Sequence, residues 1–190
     1  MKDAILYKML RPLITGVYKL FFTPKFIGIE NIPSSGRVLL AGNHTSNFDA
    51  PLLISATKRN VHFLAKKELW DGPKKIIFAN MGLIPVDRKN KDGNALIMAE
   101  RYLKNEKLVG IFPEGTTEKT GEMLKFKKGA VKMAMDTDSP IVPFVITGKY
   151  KLFSKNLTIK FLKPIKCDGD IKEETERLMN IIKKERENLR

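Results

Sequence analysis

Cysteine is almost missing from this chain. Cys167 stands alone among 190 residues, which excludes an intrachain disulfide and fits a reducing compartment. It lies in a polar Cys-Asp-Gly-Asp turn, where a structural role is the default. Histidine is nearly as scarce, with only His44 and His62. There is no Cys/His cluster, so no structural zinc site is expected. Long apolar runs are absent too. The most apolar segment, residues 2–22, is interrupted by Lys8, Arg11 and Lys19, and its longest uncharged stretch runs only from Pro12 to Tyr18. A membrane span needs about 20 apolar residues. A secretory signal needs a continuous apolar centre and a small-residue cleavage site, and neither is visible. Acid is in deficit: 21 Asp and Glu face 35 Lys and Arg, a formal net charge of +14. That balance favours polyanionic partners: nucleic acid, an anionic membrane surface, phosphorylated substrates or an acidic carrier protein.

What is present suits one globular domain. At 43% hydrophobic the chain can bury a proper core. The N-terminal segment has the pattern of an amphipathic helix, with a bend expected near Pro12. Its apolar face carries Leu6, Leu10, Leu13, Val17 and Phe21, flanked by basic residues, which suits an in-plane membrane helix. The alternative is a helix packed on its own domain. The expected division is residues 1–24 as a membrane-associating helix and 25–190 as the globular body.

Within the body, strands alternate with helices. Apolar runs at 25–30, 38–41, 61–65, 83–86, 108–112, 141–147 and 157–162 read as strands. Helical spacing occupies about 51–58, a stretch broken around Asp71-Gly72-Pro73 and running to about Met81, then 92–105, 127–136 and the last 20 residues. The expected fold is therefore α/β, with a mostly parallel central sheet flanked by helices.

Four loops follow or form these strands. Asn43-His44-Thr45-Ser46-Asn47-Phe48-Asp49 places a histidine and a carboxylate five positions apart on a strand-to-helix turn. In one regular helix, positions five apart point about 140° from each other, so the pair meets only if the backbone turns between them. A carboxylate on one ring nitrogen would fix the tautomer and leave the other nitrogen to take a proton from a hydroxyl. The bland alternative is a pair of turn and cap residues. Ser46 lacks the Gly-x-Ser-x-Gly elbow of an exposed nucleophile, which weighs against an acyl-enzyme. Gly82-Leu83-Ile84-Pro85-Val86-Asp87-Arg88 ends in an arginine suited to a phosphate. Phe112-Pro113-Glu114-Gly115-Thr116 combines an acid, a glycine and a hydroxyl, a set that suits a polyol or phosphate. Ile141-Val142-Pro143-Phe144 reads alone as a core strand with a proline. Lys66 and Lys67 close the third strand and would add positive charge to an anion site. His62, between Val61 and Phe63, reads as a packed strand residue.

Taken in order, these four blocks closely resemble those of the glycerolipid acyltransferase family, and Gly28-Ile29-Glu30-Asn31-Ile32-Pro33 is similar to it as well. The resemblance implies acyl transfer from a thioester, acyl-carrier protein or acyl-CoA, to a lysophospholipid hydroxyl. The implied acceptor is 1-acyl-glycerol-3-phosphate, whose sn-2 hydroxyl would be acylated to phosphatidic acid. It implies His44 as general base, Asp49 as its orienting partner, and Arg88 on the acceptor phosphate, with Lys66 or Lys67 in support. Glu114, Gly115 and Thr116 resemble the acceptor-binding block, and Pro143 a structural proline. No metal or tightly held cofactor is implied. The implied location is the cytoplasmic face of the cell membrane, peripheral or monotopic. One departure stands out: family members commonly continue the third block as Gly-Thr-Arg-Ser, whereas Thr117-Glu118 follow Thr116 here. Rivals remain at this point, the nearest an acyltransferase for another lysophospholipid acceptor. A thioester hydrolase would use the His–Asp pair on water. A non-enzymatic basic module would bind membrane or nucleic acid, although neither aromatic platforms nor a reading helix favour nucleic acid.

Overall fold

An uninterrupted apolar strand is the mark of a position covered on both faces, and Val38–Gly42 is buried at every residue. The computed structural model describes residues 5–70, 80–86, 94–118 and 120–189. Its seven strands are β1 (Lys25–Ile27), β2 (Val38–Gly42), β3 (Val61–Lys66), β4 (Ile84–Val86), β5 (Leu108–Ile111), β6 (Ile141–Thr147) and β7 (Thr158–Phe161). They form one sheet in the order β1-β7-β6-β2-β5-β3-β4, with β2 in the middle. Pairing is parallel from β6 through β2, β5 and β3 to β4. β7 runs antiparallel to β6, and β1 parallel to β7. The sheet is thus mostly parallel, with two strands at one edge reversed.

Strand side chains alternate between two cores. Val38, Leu40, Val142, Phe144 and Ile146 point to one face, where α1 (Ile5–Val17) and α2 (Asp49–Ala56) contribute Tyr7, Leu52 and Leu53. Leu39, Ala41, Ile141 and Val145 point to the other. There α3 (Asn94–Lys104), α4 (Gly129–Asp136) and α5 (Ile171–Asn188) bring Leu103, Val131, Leu178 and Ile182. Asp170 caps α5 by accepting the amides of Lys172 and Glu173.

Helix α1 runs through Pro12 and ends in a wider π turn, Tyr18–Phe22. Its inner side packs on α2 and on the loop after it. The Tyr7 hydroxyl donates to the Arg59 carbonyl at 3.0 Å, the Arg11 guanidinium to the Thr57 carbonyl at 2.6 Å, and the Tyr18 hydroxyl to the Phe48 carbonyl at 2.7 Å. Burial pushes the Tyr7 phenol up to about 12, so it remains a donor. The outer side leaves Met9, Leu13, Val17 and Leu20 in solvent, while Leu6, Leu10 and Phe21 are half-buried. Among the described residues, no helix is long and apolar enough to cross a membrane.

Candidate active site

The carboxyl ends of β2, β5 and β6 converge where parallel strands hand over to loops, the usual ligand-binding edge of an open α/β sheet. β2 ends at Gly42, where any side chain would collide with Phe144 on β6. The next residue, Asn43, is fully buried and joins the two strands. Its side-chain amide donates to the Ile146 carbonyl at 2.9 Å, and its oxygen accepts the Ile146 amide at 2.8 Å. That clamp fixes the start of the turn.

The backbone then bends so that His44 and Asp49 meet. His44 Nδ1 lies 2.9 Å from Asp49 Oδ2. A carboxylate accepts, so the proton sits on Nδ1 and the lone pair on Nε2. Asp49 is fully buried at the first turn of α2. It also accepts the Thr45 amide (2.6 Å), the Ser46 amide (2.9 Å), the Thr45 hydroxyl (3.1 Å) and the Tyr150 hydroxyl (2.6 Å). Three of these donors come from the turn itself, so the short polar residues build the carboxylate's cage. Tyr150 arrives from the loop after β6. Burial pushes its phenol far above the ordinary value, and the Asp49 charge adds to the effect, so Tyr150 stays protonated as a donor. The His44 ring lies flat on Phe112, with centroids 4.0 Å apart and planes at 14°. No described residue bonds its second nitrogen. The Ser46 hydroxyl accepts the Phe48 amide instead.

The third loop locks onto this turn. Glu114 is buried, and each of its oxygens accepts one backbone amide: His44 at 2.7 Å and Leu124 at 2.7 Å. Burial pushes its carboxyl above the usual range, while those amides pull it back. Its oxygens meet the protein's own backbone, so Glu114 braces two loops. Gly115 and Thr116 remain on the outer side. Gly115 has φ +75°, and a methyl group there would meet the Lys127 ammonium at 2.6 Å. Glu118 donates its amide to the His44 carbonyl, and its carboxylate faces Arg186 of α5 at 3.4 Å. The departure at Thr117-Glu118 therefore places an acid in a structural ion pair.

Glu114→Gln gives a sharp test of this bracing. Both partners are N–H donors, so the new amide NH₂ faces a donor and strands it. The expected cost is about 1–3 kcal/mol, a fall in melting temperature of about 2–12 °C for a chain this size. A melting temperature equal to that of the parent chain would show that the loops do not depend on the carboxylate.

Of the remaining candidates, Lys66 ends β3 and Lys67 follows it, both exposed. Pro143 sits in β6 beside Ala41 of β2. Arg88 lies outside the described residues. His62 is buried, with Nδ1 2.7 Å from the Gly82 carbonyl and its ring 4.4 Å from that of Tyr102, so it is a packed strand residue. Sequence reading missed Asn43, Phe112 as a platform, Tyr150 and Lys127. Lys127 stands in the basic stretch Phe126-Lys127-Lys128-Gly129, where nothing in the sequence links it to Gly115. Tyr150 carries no signal in the sequence, because its partner Asp49 lies 101 residues away.

Residues 23–147 match the family model described as Acyltransferase. A 1-acyl-sn-glycerol-3-phosphate acyltransferase of Borreliella burgdorferi is 34% identical over 133 residues, covering 68% of this chain and 53% of that protein. One from Bacillus subtilis is 32% identical over 124 residues, covering 63% and 60%. The chain spans about half the length of the curated relatives it matches first. The crystal structure of the 1-acyl-sn-glycerophosphate (LPA) acyltransferase PlsC from Thermotoga maritima superposes with a TM-score of 0.80 at 26% identity, covering 96% of this chain and 80% of that one.

Proposed function

Starting from the fact that this chain belongs to the acyltransferase family, we propose that it transfers a fatty acyl group from a thioester to the sn-2 hydroxyl of 1-acyl-glycerol-3-phosphate. The product would be phosphatidic acid, made for phospholipid synthesis. The observation that carries this reading is the His44–Asp49 pair: a tautomer held by a caged carboxylate, with the second ring nitrogen left open.

In the proposed reaction the acceptor hydroxyl gives its proton to His44 Nε2 as its oxygen attacks the thioester carbonyl carbon. The new C–O bond forms, the C–S bond breaks, and the imidazolium returns the proton to the departing thiolate. Asp49 holds the imidazolium throughout. No serine is acylated, because the lipid's own hydroxyl is the nucleophile. The acceptor phosphate meets Arg88, with Lys66, Lys67 and Lys127 adding positive charge at the same sheet edge, beside Gly115 and Thr116. The donor is acyl-carrier protein or acyl-CoA, both anionic and both suited to a basic chain. The acidic lipid surface attracts the same charge, and the outer apolar stripe of α1 lies in it from the cytoplasmic side.

The test is an acyl-transfer assay that crosses both thioester donors with lysophospholipids of several headgroups. 1-Acyl-glycerol-3-phosphate is expected to be the best acceptor. Arg88→Ala is expected to raise the acceptor KM by about tenfold or more, the scale of one lost charged hydrogen bond, with the donor KM unchanged. A shift confined to the donor would remove Arg88 from the acceptor site, and equal use of an acceptor without phosphate would overturn the substrate assignment.

A further inference from the structure

The loop after β6 does two things at once. It reads Lys149-Tyr150-Lys151-Leu152-Phe153-Ser154-Lys155. Tyr150 points inward to Asp49. Leu152 and Phe153 point out, at 57% and 72% exposed, the latter the most exposed large hydrophobic side chain among the described residues. Folding normally hides such side chains, and this one is held out under strain. Phe153 has φ +57°, a left-handed conformation that a residue with a bulky side chain rarely adopts. Tertiary bonds impose it. The Phe153 amide donates to the Phe21 carbonyl at 2.6 Å, the Thr23 hydroxyl to the Ser154 carbonyl at 3.0 Å, and the Phe153 ring lies 5.7 Å from that of Phe21. The loop is therefore fastened to the end of the N-terminal helical segment, whose Val17 and Leu20 are also exposed.

Charge identifies what this tip faces. Lys149, Lys151 and Lys155 are all exposed, and no acid occurs within 149–155. None of the three is ion-paired with a described residue. An apolar tip ringed by lysines matches a surface that is apolar inside and anionic outside. We propose that residues 149–155 are a second membrane-contact element. Leu152 and Phe153 enter the headgroup layer of an anionic lipid surface, and the three lysines meet its phosphates. This rests on the reading of the chain as an enzyme acting on lipid at a membrane. The loop that grips the surface is also the one that holds Asp49 through Tyr150, so docking sets the catalytic turn directly beside the lipid.

The test uses the full chain with phosphatidylglycerol-containing vesicles, pure phosphatidylcholine vesicles, and a Leu152→Ser/Phe153→Ser double variant. The double variant is expected to bind the anionic vesicles about tenfold or more weakly, the scale of two apolar side chains withdrawn from lipid, with a melting curve changed little by the loss of one exposed ring contact. Phe153→Cys carrying an environment-sensitive fluorophore is expected to be quenched by spin-labelled lipid. Cys167 will not compete for the label, since it is buried and burial pushes its thiol up to about 11. An unmodified chain that ignores both kinds of vesicle would overturn the membrane reading and this proposal together. Undiminished binding by the double variant, or an unquenched label on bound protein, would overturn this proposal alone. Equal binding to phosphatidylcholine would remove the role of the lysines. A label shielded by self-association without lipid would make the tip a protein interface instead.

Discussion

His44→Ala is expected to lower kcat by about 10²–10⁴-fold, the range that a positioned general base supplies, in a chain that still folds. The proposed chemistry loses its base, the imidazole held by Asp49. The fold loses little, because the turn does not hang on the imidazole. The His44 amide still donates to Glu114 and its carbonyl still accepts from Glu118. Asp49 keeps the Thr45 and Ser46 amides and the Thr45 and Tyr150 hydroxyls. The stability lost is one hydrogen bond and the contact with Phe112, about 1–2 kcal/mol. Activity measured beside a melting curve separates the two effects. A well-folded variant that keeps a large share of its activity would remove His44 from the role of base.

Asp49→Asn is the second large effect, and its direction follows from counting donors. Oδ2 accepts from His44 Nδ1 and from two backbone amides, none of which can turn round. Oδ1 accepts only from the Thr45 and Tyr150 hydroxyls, which can rotate and accept instead. Asparagine therefore places its oxygen at Oδ2 and its NH₂ at Oδ1. The geometry and the tautomer survive, and what disappears is the negative charge facing the imidazolium. The expected result is a fall in kcat of about 10²–10⁴-fold with both KM values little changed. Asp49→Ala, which leaves every donor unmet in a buried cage, is expected to lose the fold as well. An Asn variant with near-normal kcat would mean that the carboxylate only holds the turn together.

Much of this was legible before the structure. The continuous apolar runs marked central strands, and the first and third loops meet at the candidate site. The reversed edge was not read. Between Thr147 and Thr158 there is no helix-length apolar pattern, so no crossover could return the chain to a parallel position, and β7 must fold back beside β6. Asn43 was part of the catalytic stretch but carried no signal of its own, since its value lies in bonds to Ile146, 103 residues away. Tyr150 was hidden for the same reason: Asp49 is 101 residues distant in sequence. Glu114 was visible as an acid in a loop, but its type alone could not reveal that both oxygens would meet backbone amides. The N-terminal helix was read as amphipathic with two possible partners. Its inner tyrosines pack on the domain, and its outer stripe remains free to meet a surface.

In the proposed mechanism the His44–Asp49 pair activates a lipid hydroxyl and not water, without an acyl-enzyme. The most direct measurement follows thiol release from a labelled acyl thioester by the purified chain, with and without 1-acyl-glycerol-3-phosphate. Thiol release is expected only when the acceptor is present, with one new ester for each thiol and no label on the protein. Thiol released at the same rate without acceptor, as free fatty acid or as acylated protein, would contradict it.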